Sequence, residues 1–136
     1  MSTIDRQLYR HDRAAVSFLR YHFIWVPRRR RPVLIGAVAD RLEALLQTLT
    51  ASLDLTIVHL AIQPDHLHLF LAAAPTWAPA QIAFRLKGAS ARVLRQEFLH
   101  LRRMPSMWTT SYFCSSAGQV AAATIAAYIQ AQSTRS

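Results

Sequence analysis

The chain has 136 residues, enough for one hydrophobic core and too few for two. With 52% hydrophobic and 17% charged residues it is neither a disordered nor a fibrous chain. Sixteen basic against seven acidic residues leave a net charge of +9, and every cation but Lys87 is an arginine. Guanidinium groups bind phosphate oxygens two at a time, so this excess points to a polyanionic partner. The alternative is a charge that serves solubility alone.

The single cysteine, Cys114, cannot form an internal disulfide, which fits a reducing, cytoplasmic setting. Met1 to Arg20 is charged throughout and lacks the apolar run of a secretory signal. The most apolar stretch, Leu55 to Ala74, is broken by Gln63, Pro64, Asp65 and two histidines, so no membrane span is expected.

In chain order, residues 1–17 read as a polar arm and residues 18–136 as one domain. Tyr21 to Val26 is aromatic and β-branched and stops at Pro27, as a buried strand does. Four arginines, Arg28, Arg29, Arg30 and Arg31, follow it. From Val38 to Leu53 the apolar residues Val38, Leu42, Leu45, Leu46, Leu49 and Leu53 recur at steps of three and four, which predicts an amphipathic helix. Leu55 to Ile62 reads as a strand, Pro64-Asp65 as a turn, and His66 to Leu71 as the returning strand of a hairpin. A second helix is expected over Pro79 to Leu101. Its core stripe is Ile82, Leu86, Ala89, Val93 and Phe98, and a basic stripe of Arg85, Arg92, Arg95 and Arg102 lies on another face. Tyr112 to Cys114 is the fourth strand, and Gln119 to Gln132 an alanine-rich last helix. The order βαββαβ plus a helix predicts an α+β, ferredoxin-like sandwich with an antiparallel sheet.

Period two on the third strand sends Leu67, Leu69 and Leu71 to one face and His66, His68 and Phe70 to the other. The two imidazoles then emerge together, with Cβ atoms about 7 Å apart. Such a pair can chelate one metal ion, but two ligands make an incomplete site, and an exposed pair without a role is the alternative. In the last helix Tyr128 and Gln132 stand at i and i+4 on one face. That spacing equally suits a core aromatic beside a frayed helix end. Tyr9, Tyr21 and Tyr112 have no partner at ligand spacing. Cys114 reads as a core thiol, and His11, His22, His59 and His100 as packing or surface residues. Of these, His59 is placed to support a metal site from a neighbouring strand.

Six blocks in order carry a family resemblance: Tyr21-His22-Phe23-Ile24-Trp25-Val26-Pro27, Pro64-Asp65-His66-Leu67-His68-Leu69, Leu86-Lys87-Gly88-Ala89-Ser90-Ala91-Arg92, Leu94-Arg95-Gln96-Glu97-Phe98, Trp108-Thr109-Thr110-Ser111-Tyr112-Phe113 and Tyr128-Ile129-Gln130-Ala131-Gln132. From Tyr21 to Gln132 the chain resembles the single-tyrosine transposases of small bacterial insertion sequences, in the HUH endonuclease superfamily. The last block departs from the family's Tyr-Ile-Glu-x-Gln by having Gln130 in place of Glu, which alters the charge near the site.

The resemblance implies that His66, His68 and the side-chain oxygen of Gln132 hold Mg²⁺ or Mn²⁺. It further implies that Tyr128 attacks single-stranded DNA with hairpin ends to give a 5′-phosphotyrosine link, and that the active protein is a homodimer whose site forms either within one chain or across two. Arg28 to Arg31, Arg85, Lys87, Arg92 and Arg95 are the expected DNA contacts. A DNA-hairpin-binding protein that no longer cleaves is the alternative, as is a metal-dependent hydrolase of small phosphorylated molecules; against the latter stand the +9 charge and the absence of a glycine-rich phosphate loop.

Overall fold

The computed structural model describes residues 10–11, 16–17, 19–116 and 122–134. Within the expected arm, β1 (Arg10–His11) and β2 (Val16–Ser17) pair as an antiparallel ribbon; Tyr9 lies outside the described residues. The main sheet has four antiparallel strands: β3 (Arg20–Trp25), β4 (Thr56–Gln63), β5 (His66–Ala72) and β6 (Phe113–Ser115), in the spatial order β4-β5-β3-β6. Helices α1 (Gly36–Ser52) and α2 (Pro79–Glu97) complete the ferredoxin-like order, and α3 (Ala122–Ala131) follows β6. The expected start of this last helix at Gln119 lies outside the described residues. No helix of the described residues is long and apolar enough to cross a membrane.

One face of the sheet makes the core. Tyr21, Phe23 and Trp25 of β3 stand opposite Leu71, Leu69 and Leu67 of β5, so their side chains share a face. They bury against Val38, Leu42, Leu45 and Leu46 of α1 and Ile82, Leu86 and Leu94 of α2. The pairing of β4 with β5 slips by one residue between Ile57 and His59. This bulge keeps Ile57, Leu60 and Ile62 on the helix side and sends His59 to the other face, which strict alternation from Ile57 would not do.

Two features of α2 differ from expectation. Its buried stripe is Ile82, Leu86, Ser90 and Leu94, at steps of four, with Ala89 and Val93 only half-buried. Ser90 is tolerated inside because its hydroxyl accepts from Trp108 Nε1 at 3.2 Å and donates to the Lys87 carbonyl at 3.2 Å. The helix also ends at Glu97 instead of Leu101. Phe98 turns extended, and a 3-10 turn over Leu99–Arg103 carries Leu101 into the core while leaving Leu99 at the surface. Burial of one leucine outweighs the propensity to continue the helix.

The two faces of the sheet predict different costs of truncation. Leu69→Ala should lower the unfolding free energy in urea by about 2–5 kcal/mol. His59→Ala, on the opposite face and exposed, should change it by less than about 0.5 kcal/mol. Equal losses would contradict the assigned faces.

Candidate active site

On the open face of the sheet, the β5 alternation presents His66 and His68 with ring centroids 5.0 Å apart and the rings steeply inclined at 70°. The turn before them supplies Asp65, whose Oδ1 lies 2.8 Å from His66 Nδ1. A carboxylate only accepts, so Nδ1 carries the proton and the His66 Nε2 lone pair is left available. Burial, and then the neighbouring imidazoles of His66, His22 and His59, hold His68 below its ordinary value of 6.5, which favours the neutral form a metal ligand needs. In sequence Asp65 reads only as a turn residue.

His22 and His59, expected to serve packing or the surface, also reach this face. Both stand directly opposite Phe70, and the His22 ring meets Phe70 edge-on at 4.3 Å. With the histidine pair they line a groove of about 570 Å³.

The second half of the site comes from the other end of the chain. Ile24 of β3 pairs with His68 on one side and Phe113 on the other, so these three residues form a row on the face away from α1 and α2, with Ile24 fully buried at its middle. The ring of Tyr128 on α3 packs against Phe113, centroids 5.9 Å apart. Ser111 Oγ donates to Gln132 Oε1 at 2.9 Å and lies 3.0 Å from the Tyr128 hydroxyl. A serine has one proton, so toward Tyr128 its oxygen accepts and the phenol keeps its own proton. The Gln132 amide nitrogen donates to the Tyr128 carbonyl at 3.0 Å, and the side chain is almost fully buried. Gln132 is therefore a fixed group, and the frayed-end alternative does not hold. Nothing in the sequence marks Ser111 for this role: it is 17 residues from Tyr128, and no periodicity links them.

Arg30 ties the halves together. Its Nε donates to Asp65 Oδ2 at 2.7 Å, and its terminal nitrogen reaches Ser133, one residue past Gln132, at 3.4 Å. To point there the backbone enters the left-handed region at both Arg29 and Arg30, with φ of 55° and 57°. For residues with a Cβ this costs about 1–2 kcal/mol each, a strain the surrounding contacts hold in place.

The residues expected to meet DNA divide into two groups. Arg29, Arg31, Arg85 and Arg92 are exposed. Arg30 is committed to Asp65, and the Arg28 guanidinium donates to Ser106 Oγ at 3.4 Å. Arg95 donates to the Met104 carbonyl, and Arg102, which lies beyond the helix, donates to the carbonyl of Arg95. Lys87 is half-buried with its ammonium on two main-chain carbonyls. Lys87 and Arg95 thus face inward and are not part of an open basic stripe. Beside Arg85 stands Phe84, 79% exposed, at the rim of a depression that Trp77 and Gln81 also line; in sequence it is one more apolar residue of the helix. Burial pushes the Cys114 thiol up, as expected of a core cysteine.

Residues 15–132 match the family described as "Transposase IS200 like". The chain belongs to this family. The ISDra2 transposase TnpA of Deinococcus radiodurans is 35% identical over 123 residues, covering 88% of each chain. The transposase for insertion sequence element IS200 of Salmonella typhimurium is 26% identical over 103 residues, 74% of this chain and 68% of that one. A crystal structure of a candidate transposase from D. radiodurans, 35% identical, matches with a TM-score of 0.83 over 90% of this chain and 97% of that one. A REP-associated tyrosine transposase bound to a REP hairpin shares the fold, with a TM-score of 0.54 at 12% identity over 88% of this chain and 67% of that one. As an IS200-like transposase the chain is an enzyme of DNA cleavage and strand transfer, and the small-molecule hydrolase alternative falls away.

The Asp65 contacts have a pH signature. Burial raises its carboxyl, but hydrogen bonds and charge from His66 and Arg30 outweigh that and hold it below its ordinary value of 3.8. A lowered folded-state value means these contacts stabilise the fold above 3.8 and are lost as pH falls through the folded-state value. Asp65→Asn should therefore unfold at lower urea than the wild type near neutral pH, and the gap should narrow only below pH 3.8 and close as pH falls through the folded-state value. A gap that persists or widens in acid would contradict the assignment.

Proposed function

We propose that this transposase cleaves and rejoins single-stranded DNA at insertion-sequence ends through a 5′-phosphotyrosine intermediate on Tyr128. The observation that carries the reading is the row His68–Ile24–Phe113 with Tyr128 packed on its far end, which sets the nucleophile on the same face as the histidine pair.

The donor set fits a divalent ion, Mg²⁺ or Mn²⁺. His66 has its Nε2 lone pair free, His68 is kept neutral, and Gln132 Oε1 has a second lone pair beyond the one Ser111 uses. Among the described residues no group of three His, Cys, Asp or Glu could hold an ion, and the family resemblance makes the Gln132 amide oxygen the proposed third donor. The ion, when bound, polarises a phosphoryl oxygen and offsets charge in the transition state. The protein does the rest. Tyr128 Oη forms a bond to phosphorus in line with the 3′ oxygen, the P–O3′ bond breaks, and the net proton transfer is from phenol to 3′-OH. A phenol with a pKa of about 10 needs help to ionise. Its proton already points at Ser111, which fixes the direction in which it leaves. The reverse attack by a 3′-OH on the phosphotyrosine rejoins strands without ATP.

Hairpin DNA is the proposed substrate form, supported by the REP hairpin bound to the tyrosine transposase that shares this fold. The exposed Phe84 beside Arg85 suits it: an aromatic face stacks an unpaired base while a guanidinium meets phosphate. Arg29, Arg31 and Arg92 extend the exposed cationic surface. A homodimer is also proposed, on the family resemblance; among the described residues β6 ends the order of the sheet.

Labelled single-stranded DNA carrying the element's end, incubated with the full chain and Mn²⁺, tests the reading. Wild type should yield a covalent adduct, Tyr128→Phe should bind DNA without forming one, and His66→Ala with His68→Ala should abolish it. A mobility shift with no adduct from the wild type would favour the binding-only alternative.

A further inference from the structure

The chain's single lysine sits on α2 with its ammonium 2.7 Å from the Thr109 carbonyl oxygen and 2.9 Å from that of Ser111. The Tyr112 ring centroid is 5.9 Å away. Two of the three ammonium donors are thereby used inside the protein, where a phosphate contact would need them outside.

Those carbonyls belong to a segment the sheet satisfies only in part: the Thr109 amide donates to the Val26 carbonyl, and the Thr109 hydroxyl donates to the Ser111 carbonyl at 3.3 Å beside Lys87. Trp108 bridges to Pro27 and Phe113 pairs with Ile24, so five steps along this segment run opposite three along β3. The two extra residues bulge out of the ladder, and their main-chain groups need other partners. Burial pushes the Lys87 ammonium down to about 8, and the two carbonyl dipoles oppose that by favouring the charged form. The segment held this way presents Ser111 Oγ to both the Tyr128 hydroxyl and Gln132 Oε1.

We propose that Lys87 is a positioning residue for strand cleavage: by pinning the Thr109 and Ser111 carbonyls it sets Ser111 Oγ, and through it the Tyr128 hydroxyl and the Gln132 amide oxygen. The proposal rests on Tyr128 being the nucleophile. It assigns Lys87 no contact with DNA.

The test is single-turnover adduct formation at saturating single-stranded DNA in Mn²⁺, with Kd and its salt dependence measured on the same full-length proteins. Lys87→Met should lower the rate at saturation about ten- to a hundredfold, the loss expected for hydrogen bonds from a charged group, and leave Kd and the salt slope unchanged. Ser111→Ala should slow the same step, and the double variant should be no slower than the slower single, because both act through one connection. Lys87→Cys in a Cys114→Ala background, alkylated with 2-bromoethylamine, restores an ammonium at nearly the same reach and should recover the rate; this holds even if Lys87→Met folds poorly. An unchanged saturating rate with a raised Kd and a salt slope smaller by about 0.7 would make Lys87 a phosphate contact and overturn the proposal. Multiplied losses in the double variant, or no recovery on alkylation, would overturn it too. An adduct that survives Tyr128→Phe in the same assay would instead refute the nucleophile, so the two failures are distinguishable.

Discussion

The histidine half of the site depends on the pleat of β5. Successive side chains of a strand leave on opposite faces, so the residues that anchor the core, Leu67, Leu69 and Leu71, fix the direction of His66 and His68 between them. Three leucines held against α1 and α2 cannot tilt without opening the core. The imidazoles inherit that rigidity although they themselves stand on the open face. A one-residue slip of β5 would bury both histidines and expose the leucines, which makes the register costly to change.

The tyrosine is held differently. It arrives on α3, a ten-residue helix, and its position depends on a few polar contacts at the near end of the site: Ser111 on its hydroxyl, Gln132 on its carbonyl, and Arg30 reaching Ser133. One half of the site is thus built into a packed sheet, and the other half is attached by hydrogen bonds together with the packing of Tyr128 on Phe113 and the burial of Ile129.

Local periodicity makes much of this legible. The spacing from Val38 to Leu53 gives α1 to within two residues, and the alternation from His66 to Leu71 gives both faces of β5. What periodicity cannot carry is a contact whose partners are far apart in sequence. The bulge at Val58 turns His59 onto the histidine face, yet Leu55 to Ile62 reads as an ordinary strand. Lys87 reaches a carbonyl 24 residues away, a contact no local pattern shows, and so in sequence it is expected to meet DNA. Arg28 to Arg31 reads as a uniform basic patch, whereas a left-handed turn singles out Arg30 for Asp65. The end of α2 is hidden because neither glycine nor proline marks it; the stop comes from the burial of Leu101.

The central claim is that Tyr128 and the histidine pair act on one phosphate. Mapping the covalent product tests it most directly. The tryptic peptide Met104 to Arg135 contains both Tyr112 and Tyr128, so tandem mass spectrometry of that peptide, after nuclease trimming of the bound DNA, distinguishes them within one fragment series. The account predicts a nucleotide 5′-phosphate on Tyr128 in the presence of Mn²⁺, and none in excess chelator or in the His66→Ala/His68→Ala protein. A phosphate on Tyr112, or on Tyr128 at undiminished yield without the two histidines, would contradict it.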